Sequence, residues 1–500
     1  MALKHKVIVI GAGIGGLTAA IDLARRGAGV TVIERAADVG GKMRHVIVGG
    51  RGIDGGPTVF TMRWIFESLF ADAGEDLTKS LDLEPMDVLA RHAWRTGGRL
   101  DLFADIARSA DAIGAFAGAE DARGYRAFCA RSADIYATLR DAFIASQKPS
   151  SPLDLTLRVG LSRIDALWRT APMKTMWSAI GEHFRDPRLR QLFGRYATYV
   201  GSSPLLAPAT LMLIAHVEQD GVWMVKGGMR QVALTLRRLA ERKGAIFKVS
   251  THVKDILVKD GRVTGVALAS GERLDANAVV FNGDVSALND GRLGSGLQRA
   301  APRTKVKDRS LSAITWCVNA KADGFPLAHH TVFFAENYPD EFDAVFRRRE
   351  ITPAPTVYIC AQDRGYGFNG TLAGAERLLV LINAPADGDQ RSFPATEIDE
   401  MTGRAMRLLN DCGLDLNYEA GDCTVTAPDG FNSLFPATGG ALYGRASHGP
   451  MATFQRAGAT TKVRGLYLAG GSVHPGAGVP MAAMSGRLAA AKVCEDFGRT

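Results

Sequence analysis

Gly11, Gly13 and Gly16, with Gly15 inside the same turn, and Glu34 downstream are the residues whose types and spacing most clearly imply chemistry. Residues 7–10 are four apolar residues that read as a buried parallel strand. Gly11 permits a tight turn, Gly13 lets a pyrophosphate approach the backbone, and Gly16 lets a following helix pack close to the strand. That helix, expected over about residues 14–26, points its positive N-terminus at the phosphates. A second strand over residues 30–33 delivers Glu34, a carboxylate able to accept hydrogen bonds from ribose hydroxyls. An acidic residue there suits FAD or NAD better than NADP.

Three more segments extend this pattern. Arg35 leads through Gly40-Gly41 to Lys42, a second backbone turn with a cation beside the dinucleotide; Lys42 lacks the bidentate fork of arginine. Gly55-Gly56-Pro57-Thr58 is a loop that brings backbone close to a ligand ring. Near the C-terminus, Gly470-Gly471 leads through His474-Pro475-Gly476 to Gly478, Val479, Pro480 and Met481, where a helix rich in small residues begins. Its N-terminal N–H groups suit the pyrimidine edge of a flavin and negative charge on its reduced form.

No residue declares itself a catalytic base. Glu218 is either that base or a surface carboxylate before a turn, and His474 either contacts flavin or substrate or holds its loop. His329-His330 have no carboxylate at metal spacing and no cysteine nearby, so no metal is expected. Ser202-Ser203 and Ser472 lack a hydrolase elbow. Trp64, Trp223, Trp316 and Tyr443 either line an apolar tunnel or belong to the core.

The elements that position these residues imply an α/β chain. Residues 1–84, 221–290 and 436–500 carry the strands and glycine loops of a cofactor domain, and residues 85–220 and 291–435 form an inserted substrate domain. Within the middle segment, residues 247–258 and 263–268 read as a hairpin around Asp260-Gly261.

Length and composition agree. Five hundred residues exceed one simple core, and 46% hydrophobic with 22% charged residues describes a globular chain. The net charge of +8 is spread along the sequence, with Arg347-Arg348-Arg349 as a solvated helix face, so no nucleic-acid partner is expected. Six scattered cysteines fit a reducing cytoplasm. Met1 to Lys6 runs directly into the first strand, leaving no room for a signal peptide, and no apolar run is long enough to cross a membrane. Residues 152–169 interleave apolar residues with Arg158, Arg163 and Arg169, as an interfacial amphipathic helix or a core-facing one would.

Gly40-Gly41-Lys42 after the dinucleotide fingerprint resembles the second fingerprint of the amine oxidase, protoporphyrinogen oxidase and phytoene desaturase group of FAD enzymes. Residues 466–480, Asp54-Gly55-Gly56-Pro57, residues 225–229 and residues 358–364 are similar to bacterial carotenoid desaturases of the phytoene desaturase type. Residues 56–64 and 436–444 look most like the purple-bacterial group that acts on hydroxyneurosporene or methoxyneurosporene. The loop at Val479-Pro480-Met481 departs from the glycine-rich Pro-Gly-Val of many phytoene desaturases, which keeps the multi-step phytoene reaction as the alternative.

The resemblance implies a two-dinucleotide-binding-domain flavoprotein with a Rossmann-like FAD domain. It implies FAD as cofactor, with Val253 beside adenine. It implies a C-3,4 double bond made by hydride transfer to flavin, on the way to spheroidene or spirilloxanthin in photosynthetic membranes. Oxygen or a quinone would be the electron acceptor, and the enzyme would be cytoplasmic and peripherally bound to the inner membrane. A flavin amine oxidase and a prenyl-lipid carrier of the Rab escort type remain as competing readings.

Overall fold

The computed structural model describes residues 5–365 and 374–498. Residues 1–4, part of the N-terminal reading above, lie outside them. β1 (Lys6–Ile10), α1 (Ile14–Ala24) and β2 (Gly29–Ile33) form the expected βαβ unit. Val7, Val9, Val30 and Val32 are fully buried, as strands covered on both faces require. β1 is the middle strand of a parallel sheet ordered Leu466–Leu468, Ala278–Phe281, β1, β2, Ile246–Lys248.

Three distant stretches of chain therefore build one sheet. Helix Val479–Gly498 packs on α1, where Thr18 Oγ1 donates to the Ala483 carbonyl at 2.8 Å. A Cβ on Gly486 would lie 2.0 Å from the Gly15 carbonyl oxygen, so the two helices meet backbone to backbone.

The single strand expected over residues 247–258 is two strands in different sheets. Ile246–Lys248 forms the edge of the parallel sheet, whereas Val253–Lys259 pairs with Arg262–Leu268 in an antiparallel hairpin. Ser250, at φ 50°, makes the break. Apolar residues continue on both sides of it, so the pattern carries no trace of the change.

A second sheet, of eight strands and mostly antiparallel, is drawn from residues 88–103 and 312–426. Its parallel step joins His330–Phe334 to Val88–Trp94. Phe128, Phe184 and Phe193 centre a core under the helices of residues 106–219. The single amphipathic helix expected over residues 152–169 is instead two short ones, Pro152–Val159 and Ile164–Arg169. Gly160, at φ 97°, ends the first, a conformation that costs little without a Cβ. Arg347 and Arg348 pair with Asp340 and Asp343 of their own segment.

Candidate flavin and substrate site

The C-terminal ends of the parallel strands, at Ile10, Ile33 and Phe281, open on one cavity of about 1290 Å³, whose far wall includes Thr315, His330, Tyr358 and Leu381 of the second sheet. Ligands in open parallel sheets bind at this end of the strands. The volume exceeds the range for drug-sized ligands, leaving room for a dinucleotide and a second molecule.

Nearly all the glycine-loop residues named from the sequence meet here. Gly11, Gly13, Gly15, Glu34, Arg35, Gly41, Lys42, Gly55, Gly56, Pro57, Thr58, Val253, Gly470, Gly471, Gly478, Val479, Pro480 and Met481 all line the cavity. Gly16 lies behind it, with its Cβ position 2.1 Å from the Gly11 carbonyl oxygen. α1 begins at Gly13 with no side-chain cap and no acidic residue in its first turn, which leaves its positive end for an anion. Gly40 bridges to Gly13, seating the second turn on the first. Glu34 is positioned by the Ala12 and Ala36 N–H groups, at 2.7 and 2.9 Å. Its carbonyl accepts from Thr251 N–H at 2.9 Å, which carries the Val253 segment to the same end. Arg35 is engaged by the Ser433 and Leu434 carbonyls.

At the other end two cations face the cavity, Arg456 buried and Lys42 half-buried. Lys42 donates to the Leu442 carbonyl, and Arg456 to the carbonyls of Tyr443, Arg445 and Gly471. Among the described residues neither has an ion-pair partner. Burial pulls the Lys42 ammonium below its usual range and the Arg456 guanidinium down to about 10. Two cations without an ion-pair partner, an uncapped helix and a carboxylate at the opposite end complement a molecule with ribose at one end and negative charge along its length.

The substrate side departs more from expectation. Glu218 is not a surface carboxylate: it is 5% exposed, lines the cavity and accepts from Tyr196 Oη at 2.5 Å and Tyr199 Oη at 2.8 Å. His474 does not line the cavity. Its Nε2–H donates to the Ser146 carbonyl at 2.9 Å, and its ring meets Phe143 edge-on. Burial lowers its pKa to about 4, so it is a neutral bolt behind the glycine loop. Of the four aromatics Tyr443 lines the cavity, but Trp64, Trp223 and Trp316 do not; they pair with Tyr136, Arg63 and Thr402. Trp168 takes their place.

A cysteine does approach the histidine pair. Strand pairing sets Cys360 opposite His330, with Cys360 Sγ 3.6 Å from His329 Nε2 and the three donor atoms within 4.8 Å of one another. Burial pushes the Cys360 thiol far up, and His329 Nδ1 is spent on the Arg364 carbonyl at 2.7 Å, so the contact is a thiol-to-imidazole hydrogen bond.

A family model described as flavin containing amine oxidoreductase matches residues 14–494. The chain belongs to this family. Hydroxyneurosporene desaturase of Rubrivivax gelatinosus is 52% identical over 487 residues, spanning 97% of this chain and 92% of that protein. The protein of the same name from Cereibacter sphaeroides is 43% identical over 98% of each. These relatives place this flavin oxidoreductase in the carotenoid desaturase branch, with FAD as cofactor. Among solved structures, cyclohexylamine oxidase of Brevibacterium oxydans is 17% identical with a TM-score of 0.55, covering 99% of this chain and 100% of that one, which shows the shared fold.

Three residues of the flavin oxidoreductase site escape the sequence reading: Arg195, Tyr358 and Arg456. All line the cavity and are brought there by packing between distant segments. Arg456 sits in a stretch of alanines and glycines with no local signal. Tyr358 carries one, since it falls inside a segment already matched to the family.

Proposed function

We propose that this flavoenzyme introduces a C-3,4 double bond into 1-hydroxy- or 1-methoxyneurosporene-type carotenoids. The near full-length identity to hydroxyneurosporene desaturases carries this reading. The single cavity joining cofactor loops to an apolar exit supports it. In this reading Gly11, Gly13, Gly15 and Gly41 hold the pyrophosphate, Glu34 the ribose and Val253 the adenine edge. Gly55 to Thr58 and Gly470 to Met481 hold the flavin. Lys42 and Arg456 favour the charge that builds there on reduction.

When bound, FAD supplies the hydride acceptor, and oxygen or a quinone takes the electrons onward. The chain's own work is to place one C–H of the substrate for hydride loss, which leaves an allylic cation. Glu218 stabilises that cation and receives the proton from the neighbouring carbon, directly or through water. The electron pair left by that proton becomes the new double bond.

Purified protein should be yellow with bound flavin and should convert 1-hydroxyneurosporene to its 3,4-didehydro product in a vesicle assay with product analysis. Conversion of phytoene with no action on the hydroxylated carotenoid would overturn the substrate assignment. A colourless protein resistant to reconstitution with FAD would overturn the chemistry.

Among the described residues no helix is long and apolar enough to cross a membrane. The substrate is nevertheless lipid-borne. Leu153, Leu157, Leu161, Ile164, Trp168 and Met173 are all exposed, the last two at 69% and 72%. Ile164, Trp168 and Met173 also line the cavity, so it reaches the surface within this patch. A contiguous exposed apolar patch flanked by arginines suits monotopic contact with a membrane of the photosynthetic type. Leu161→Asp with Trp168→Asp is expected to cut sedimentation with anionic liposomes about tenfold or more. Undiminished binding by the double variant would remove this patch as the anchor.

A further inference from the structure

Arg195 sits on the cavity wall in the short helical turn Arg195–Val200 and is 9% exposed. Its Nη1 donates to Tyr199 Oη at 2.9 Å, and its guanidinium carbon lies 5.0 Å from the Tyr199 ring and 5.5 Å from the Tyr358 ring. Among the described residues Arg195 has no ion-pair partner, and its Nε and Nη2 have no acceptor. A buried guanidinium with free donors is expensive unless something else accepts from it. Burial opposes the charge, but Tyr199 and Glu218 beside it outweigh that and hold the group above its usual range. Two neighbours on the same wall share the deficit: His330 Nε2 and Tyr338 Oη are buried without hydrogen-bond partners.

The location matters as much as the chemistry. Tyr358 Oη is 2.7 Å from Thr58 Oγ1, in the loop assigned to the flavin. The polar wall is thus one side chain away from the cofactor end of a cavity whose exit is apolar. In a carotenoid with oxygen on C1 and a new double bond from C3, the oxygen is three bonds from the nearer reacting carbon. Whatever binds that oxygen must sit beside the flavin, not at the mouth. Guanidinium is a pure donor, so it serves a hydroxyl and a methyl ether equally, whereas a hydrocarbon end leaves it desolvated and unpaired.

We infer that Arg195 is a specificity-determining residue that donates a hydrogen bond to the C1 oxygen of the carotenoid. This rests on the carotenoid reading above. The test uses the full-length holoenzyme in vesicles, comparing kcat/KM for 1-hydroxyneurosporene, its 1-methoxy counterpart and neurosporene, which lacks the oxygen. The wild-type values test the carotenoid reading by themselves. In Arg195→Met, the preference for either oxygenated substrate over neurosporene is expected to fall about 10- to 100-fold, mainly through KM, the worth of one hydrogen bond to a charged group. Arg195→Lys should recover part of it. Equal losses on all three substrates, with the preference unchanged, would overturn the inference and leave Arg195 a structural residue. If Arg195→Met fails to retain flavin, Arg195→Gln, of similar reach, carries the same comparison with the same two outcomes.

Discussion

Glu218→Gln is expected to lower kcat about 100-fold or more with KM little changed and flavin content intact, the usual worth of a positioned acid–base group. The amide keeps the shape of the side chain and an acceptor for one tyrosine, but removes the charge proposed above to stabilise the developing cation. Glu218→Leu should do something different. It strands the Tyr196 and Tyr199 hydroxyls, which now donate to the two carboxylate oxygens in a buried setting. Leaving two such groups unpaired costs about 2–6 kcal/mol, so that variant should lose stability as well as turnover. Single-turnover reduction of the flavin by carotenoid separates the cases: a Gln variant reduced as fast as wild type would remove Glu218 from the chemistry.

Gly16→Ala is expected to abolish flavin binding although Gly16 touches no part of the cavity. Its Cβ would lie 2.1 Å from the Gly11 carbonyl oxygen and 3.2 Å from Val9 Cγ1, both belonging to the strand and turn that present the phosphate loop. Nothing there can yield without moving the loop, and overpacking of this kind costs about 1–3 kcal/mol, concentrated here on the phosphate turn. Gly403→Ala is the control: it is an exposed position of helix Ala395–Asp411 with no atom near the added methyl, and should be neutral or slightly stabilising. Visible flavin absorbance per protein and the thermal midpoint report both. Full flavin occupancy in Gly16→Ala would show that α1 does not need its close approach to β1.

The contrast between these two residues explains what could be read in advance. Gly16, Glu34 and the Gly470 loop were legible because their constraint is local: a turn, a close approach or a strand end needs that residue type at that spacing. Glu218 was visible as a carboxylate, but its burial was not, because the tyrosines that enclose it belong to a different helical turn. Which of its two readings His474 takes was hidden for the same reason. Its neighbours in sequence line the cavity, yet Phe143 and Ser146 take its ring the other way. Arg195 and Arg456 gave no signal, since an arginine without a carboxylate partner is defined only by what surrounds it in three dimensions. The error over residues 247–258 and 152–169 was one of continuity: single residues, Ser250 and Gly160, turn the chain where hydrophobic periodicity runs on.

The parallel sheet described above also constrains how the protein is made. β1 and β2 leave the ribosome well before their neighbour Ala278–Phe281, which follows hundreds of residues later, and the outer strand Leu466–Leu468 and the helix that covers α1 follow later still. For most of translation the nascent chain holds apolar strand edges with nothing to pair them, and the ring of backbone that receives the flavin cannot close. The nucleotide site is therefore completed only once the Leu466–Leu468 strand and the helix after it have been made. A ribosome stalled shortly before codon 466 should carry a chain that binds chaperones and not cofactor.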